Sequence, residues 1–376
     1  MRERIHSIDT LRAIAVFFVV TAHVQPFRGF GTYGNYVYFV LDTLGQFDVP
    51  FFFLTSGYFL AATLTAENVA SKVLGTARKL GSLYLFGRIL SVTAVVVIAL
   101  VASEPVASTL VDGLASYSLL DVLYYGKAAA VPTWFLTALL FSIVFVSLFV
   151  RVGKTRYLLP VAALFHVVGL LGTNFQLLVH VPFRTRDALF FGFFYVALGY
   201  TFNTVDWSPS EDRSQLYLGA VVALAGVQLL EQYAIGYVIR ENTLSQELFL
   251  TEYTISTVFF VVAVFAYALS NPQLGRDTSL PSVGRHALGI YLLHVPVFRL
   301  IHATRRFWEP AIGFDPTGTL LWQLAIVPVV YVLSLTVYRF MDRVGVIETD
   351  GSHIPFLHRI RAGDGLPGRR AHSSDE

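Results

Sequence analysis

The chain has 376 residues, 55% of them hydrophobic and 14% charged, with a net charge of +2 and a mean hydropathy of +0.61. Soluble domains carry about 25% charged residues, so this composition excludes a water-soluble globule, and the small, dispersed charge excludes a nucleic-acid footprint. The absence of cysteine removes disulfides, thiolate metal sites and a thiol acyl-enzyme. No zinc, Walker or EF-hand pattern occurs, so no metal site is expected.

Apolar runs close to the roughly 20 residues of a spanning helix recur along the whole chain. They predict an all-α, polytopic membrane helix bundle of about ten transmembrane helices, at 8–27, 36–64, 80–102, 132–151, 157–173, 187–204, 214–232, 249–269, 284–303 and 318–341. Arg2 and Arg4 precede the first run as in a signal peptide. Arg12 interrupts that run, however, and no A-x-A cleavage pattern follows, so it is expected to be retained as the first span. The stretch 113–126 reads as a short interfacial or re-entrant piece. Residues 1–341 form one membrane-embedded domain, and 342–376, ending "AGDGLPGRRAHSSDE", read as a polar, disordered tail.

An even number of spans puts both termini on one side. Lys72, Arg78, Lys79, Arg151, Lys154, Arg156, Arg339 and Arg343 fall on that side, which makes it the cytoplasmic one. The expected location is the cell (plasma) membrane, multi-pass, with both termini cytoplasmic. Four arginines, Arg184, Arg186, Arg305 and Arg306, fall on the opposite side against that bias.

The first span carries ionisable residues at both ends, "LRAIAVFFVVTAHV". Eleven residues of helix turn through about 1100°, which leaves Arg12 and His23 about 20° apart on one face and about 16 Å apart along the axis. Asp9 lies three residues before Arg12, in reach of an i,i+3 pair. Intramembrane ionisable groups usually face a bundle interior or a wet cavity. The competing account, in which both side chains snorkel to opposite surfaces, leaves their common face unexplained.

"IDTLRAIAVFFVVTAHV" resembles the first helix of the acyltransferase 3 family, integral membrane enzymes that modify glycans and lipids; its hallmark is a basic residue, ten positions and a histidine, here Arg12 and His23. "VPFFFLTSGYFLA" (49–61), "RKLGSLYLFGRIL" (78–90), "PTWFLTALL" (132–140) and "ALGIYLLHVPV" (287–297) are similar to later helices of the family, in the family's order. "RDALFFGFFYVALGY" also resembles a family helix. One departure is visible. The family often has two arginines three apart before the third helix and then a proline, where this chain has Thr76, Lys79 and Ser82, with Arg78 as the nearby charge.

The resemblance implies transfer of an acyl group, most often acetyl from acetyl-CoA, to a hydroxyl of a carbohydrate or lipid-linked glycan. No cofactor is bound permanently; acyl-CoA is the donor substrate, and the expected partners are that donor, the glycan and membrane lipids. The residues fit this chemistry independently. Arg12, Arg78 and Lys79 would hold the coenzyme's phosphates at the cytoplasmic mouth, a task that suits a guanidinium. His23 would take the acceptor's proton, with Asp9 orienting Arg12. His294, with Tyr291 three residues before it, is either a second imidazole of the site or, the stronger reading, a structural histidine hydrogen-bonding a neighbouring helix. Trp134, Arg184 and Arg186 are candidate acceptor contacts, though packing for Trp134 and lipid headgroups for the arginines compete with that role. His302, Arg305 and Arg306 form another basic cluster.

Two motifs are set aside. Ser56 in "FLTSG" lacks a G-x-S-x-G elbow and reads as a small packing residue. "GFGTYG" (29–34) fits a dinucleotide pattern but follows a spanning helix and opens no βαβ unit, so it reads as a loop. The alternative function is a transporter or flippase for a glycan or small anion, which would commonly show inverted repeats; none is evident.

Overall fold

The structure is a computed structural model that describes residues 4–108, 111, 117–127, 131–175, 181, 183–245 and 248–347. Among them every regular element is helical: α1 (His6–Val24), α2 (Gly34–Gly45), α3 (Asp48–Ala61), α4 (Val69–Ala102), α5 (Leu119–Leu123), α6 (Trp134–Arg151), α7 (Leu158–Thr173), α8 (Phe193–Thr204), α9 (Ser214–Tyr233), α10 (Ile255–Leu269), α11 (Leu280–Arg285), α12 (Ala287–Ile312) and α13 (Leu320–Arg343). Eight helical segments are long and apolar enough to cross a membrane, and two shorter apolar ones, Ala188–Thr204 and Ile255–Leu269, complete the order. The chain is a multi-pass membrane helix bundle, as its hydropathy predicts.

Several boundaries differ from the sequence reading, among them a start at Ile255 rather than 249 and an end at Ile312 rather than 303. The second span is two helices, broken at Gln46–Phe47. Pro50 stands in the first turn of α3, where its missing N–H is harmless, and the Asp48 carboxylate accepts from the Val49 N–H at the same helix start. The third span begins at Val69 rather than 80, because its polar approach is already helical. Within 113–126 the described residues, 117–126, include the single-turn α5, capped by Ser118 and Asp121; residues 113–116 of that stretch, and the tail beyond 347, lie outside the described residues.

α1 is the hub. It packs on α2, α3, α10, α11, α12 and α13 through small and branched residues, Ala13, Ala15, Val16, Val19 and Val20, all buried. Its N-terminal half is wrapped by residues 268–284. Ser7 N–H donates to Pro272 O at 3.2 Å, Ser7 Oγ to Ala268 O at 2.6 Å and Thr10 Oγ1 to Leu274 O at 3.0 Å. Within lipid, association depends on close packing and interhelical hydrogen bonds, and the α3–α8 crossing shows the first. A Cβ on Gly57 would sit 2.0 Å from Val196 O, and one on Gly199 1.9 Å from Leu54 O.

The break in the second span is held by the second kind of contact. The Gln228 amide on α9 donates to Thr43 O at 2.7 Å and to Gln46 Oε1 at 3.2 Å. Gln46 in turn donates to Thr251 O at 2.8 Å. These buried amides tie α2, α9 and the approach to α10 together beneath the end of the bundle opposite the N-terminus.

Candidate functional site

Because α4, α7 and α9 all run away from the N-terminal end, the segments that follow them gather at the opposite end, beside the last turn of α1. Two cavities open there. The inner one, of about 250 Å³, is lined by His23, Asp42, Asp48 and Tyr291 among others. The outer chamber, of about 750 Å³, is built from the segments around Gly126, Arg184 and Arg240. Trp134, Arg186 and Glu252 line both, forming the partition between them.

His23 is exposed to the inner cavity from the last turn of α1. Its Nδ1 lies 2.9 Å from Val19 O. A carbonyl can only accept, so Nδ1 carries the proton in the neutral ring and Nε2 keeps its lone pair, the arrangement a general base needs. His294 packs edge-on against it, with ring centroids 4.8 Å apart. His294 makes the same bond to its own helix, Nδ1 to Ile290 O at 3.2 Å, rather than to a neighbouring helix as the structural reading of this residue expects. It is wholly buried, and its Nε2 has no hydrogen-bond partner among the described residues. Tyr291 lies on the same wall, its ring centre 6.0 Å from that of His294, and its buried hydroxyl has no hydrogen-bond partner among the described residues.

Arg12 sits in the second turn of α1, toward the other end of the bundle. Its guanidinium reaches Asp9 Oδ1 and Thr55 Oγ1, each at 3.4 Å, and lies 5.5 Å from the Phe59 ring centre. With five donors and, among the described residues, two long polar contacts, it retains capacity for an anion. Asp9 also binds Arg4, at 2.5 Å, and is therefore an acid shared by two arginines. Fourteen residues of helix place it about 21 Å from His23. Arg78 is exposed on α4, a helix that packs chiefly on α6 and α12 rather than α1; Lys79 is the next residue of the same helix. Ser56 Oγ donates to Phe52 O at 2.7 Å, a bond within its own helix. "GFGTYG" is a turn, with Gly29 and Gly31 at positive φ.

At the partition the Arg186 guanidinium lies 4.6 Å from the Trp134 ring centre and 3.1 Å from Glu252 Oε1. Both charges are partly exposed, so the pair contributes about 0–1 kcal/mol and can yield to a ligand. Arg184 is exposed in the chamber, 5.9 Å from the Tyr125 ring centre. Lys127 pairs with Asp121; that contact, with Ser118 second, holds the Asp121 carboxyl at about 2. The other basic cluster is different: Arg305 is neutralised by Glu309 at 3.0 Å and Asp315 at 3.6 Å, and the Arg306 side chain lies outside the described residues.

The sequence reading misses Asp42, Asp48, Arg240 and Glu252. Asp42, which accepts from Tyr38 Oη at 3.2 Å, and Asp48 are acids inside an apolar run. The rule that singles out Arg12 and His23 selects them too. Wide π-helical turns at Ala188–Gly192 and Ala234–Val238 flank the chamber segments; such turns often mark functional sites, and hydropathy carries no sign of them.

No solved structure matches the chain. It is similar to an amino-acid racemase of Enterococcus faecalis, 24% identical over 57% of this chain and 30% of that protein. It is also similar to a serine/alanine racemase of Enterococcus gallinarum, 26% identical over 76% of this chain and 40% of that protein. The chain thus spans less than half the length of these relatives. The model of the family described as an acyltransferase domain matches residues 5–339, nearly the whole chain, with Arg12 and His23 inside the match. The chain therefore belongs to the acyltransferase 3 family.

Proposed function

We propose that the protein moves an acyl group, most simply acetyl, from an acyl-CoA entering at the N-terminal, cytoplasmic end of the bundle to a hydroxyl of a carbohydrate or lipid-linked glycan entering at the other end, across the plasma membrane. The observation that carries this reading is the His23 ring: it opens onto a cavity with Nδ1 engaged by Val19 O, so that Nε2 is its free basic nitrogen. Arg12 on the same helix would hold donor phosphates about 16 Å below, with Arg78 and Lys79 supplying further charge at that mouth.

In the reaction, His23 Nε2 removes the proton of the acceptor hydroxyl while its oxygen bonds to the thioester carbonyl carbon. The carbon–sulfur bond then breaks, and the departing thiolate recovers the proton from the imidazolium. His294 holds the His23 ring from behind. The two racemase-named relatives share less than half of their length with this chain, so racemisation is not carried over. A transporter would commonly show inverted repeats, and none is evident in the sequence.

Acetyl transfer from acetyl-CoA to a glycan, measured on purified protein, tests the reading. Loss of a general base costs about 10²–10⁴-fold in rate, so His23→Ala and His23→Gln should both lose at least about 100-fold while keeping donor affinity and melting temperature. A folded His23→Gln protein with normal turnover would leave the imidazole a structural role only.

A further inference from the structure

Among the described residues the outer chamber is lined by four cations, Lys127, Arg184, Arg186 and Arg240, and one acid, Glu252. Two of the cations are answered: Lys127 by Asp121 and Arg186 by Glu252. Arg184 and Arg240 have no carboxylate within ion-pair distance among the described residues. Arg184 is exposed in the chamber. The Arg240 guanidinium carbon lies over Phe249, 3.7 Å from the ring centre, and its buried Nε has no hydrogen-bond partner among the described residues.

A membrane protein does not gather unpaired guanidiniums at this end by default. Basic residues concentrate at the cytoplasmic ends of spans, and Arg305, at the same end, is neutralised by two carboxylates of its own. The chamber volume falls in the range of about 300–1,000 Å³ that holds small-molecule ligands. Low-dielectric walls strengthen a charge held between them, and the planar fork of arginine matches a carboxylate or a phosphate bidentately.

We infer that the acceptor is an anionic saccharide, and that Arg184 and Arg240 bind its carboxylate or phosphate in the outer chamber. This deepens the acyl-transfer reading and rests on it only for the name acceptor. The anion serves as an anchor away from the reacting centre. It leaves an uncharged hydroxyl free to pass the Trp134–Arg186 partition into the His23 cavity. Arg186 is the cation nearest that passage, and its exposed pair with Glu252 is weak enough to exchange for the ligand's charge.

Binding to the intact protein in nanodiscs, without CoA, tests the inference by calorimetry. The probes are tetragalacturonate, its carboxyl-reduced neutral counterpart, and glucose 1-phosphate. Tetragalacturonate should bind at least about tenfold more tightly than the neutral tetramer, the worth of one or two charge-assisted bonds, and the preference should shrink as salt rises. Glucose 1-phosphate binding in place of the uronate would identify phosphate as the recognised anion. Arg184→Gln combined with Arg240→Gln should abolish the preference, whereas the double lysine variant should keep part of it. If the double glutamine variant does not fold, Arg184→Gln alone, at an exposed position, should still halve the preference or more. Equal binding of charged and neutral probes, or a preference untouched by these variants, would overturn the inference. Acylation of neutral glycans without charge preference would overturn it and leave acyl transfer standing; charge-selective binding without acylation of any probe would do the reverse.

Discussion

At the proposed donor site the residue that matters most is Arg12. Its long contacts to Asp9 and Thr55 fix the guanidinium without saturating it. Arg12→Ala should raise the dissociation constant for acyl-CoA about 10- to 100-fold, the worth of a charge-assisted contact of about 1.5–3 kcal/mol, and change the chemical step less. Arg12→Lys should restore charge but not the fork. Asp9→Asn should weaken the donor less than Arg12→Ala does, since Arg12 keeps its charge and loses only an orienting partner. Equilibrium binding and single-turnover rates on the three proteins separate these outcomes; unchanged donor affinity in Arg12→Ala would confine Arg12 to packing. Arg12 and His23 were legible in the sequence because charge within an apolar helix is conspicuous at a known periodicity. Asp42 and Asp48 were equally conspicuous by that rule. Arg240 and Glu252 were not, because only the folding of separate loops into one wall gives them meaning.

Among elements, the α3–α8 crossing is the most exacting, since both backbones touch through glycine. Gly57→Ala must force Val196 O away from 2.0 Å, and carbonyls on a helix cannot turn aside as a side chain can. Overpacking of this kind costs about 1–3 kcal/mol or more. Gly219→Ala, on α9, meets nothing within 4 Å and should be neutral or slightly stabilising, because alanine is the better helix former. Thermal unfolding of the two variants in the same detergent checks this; equal melting temperatures would contradict the crossing described here. The spans themselves were legible, since lipid demands long apolar helices and hydropathy records them. The Gln46–Phe47 break was missed because helix continues on both sides, although "QFDVP" holds an acid and a proline placed for a helix start. The early start of α4 was missed because polar residues outside the apolar window are as helical as those within it.

For the whole molecule, the proposed arrangement is a donor station near one end of α1, an acceptor chamber beyond the other, and His23 between them. α1 is surrounded by six other helices, so it carries Arg12 and His23 on one packed rod, while the chamber beyond is built from the segments around Gly126, Arg184 and Arg240. That geometry makes the central claim one about sides as well as residues. The direct measurement uses proteoliposomes whose insertion direction is read from the accessibility of an N-terminal tag. Acetyl-CoA is supplied on the N-terminal face and an anionic oligosaccharide on the other, and acetylated product is quantified by mass spectrometry. The account predicts acetylated oligosaccharide on the face opposite the donor, reduced at least about 100-fold by His23→Ala. Product formed only when donor and acceptor share a face, or formed at the normal rate by well-folded His23→Ala protein, would contradict it.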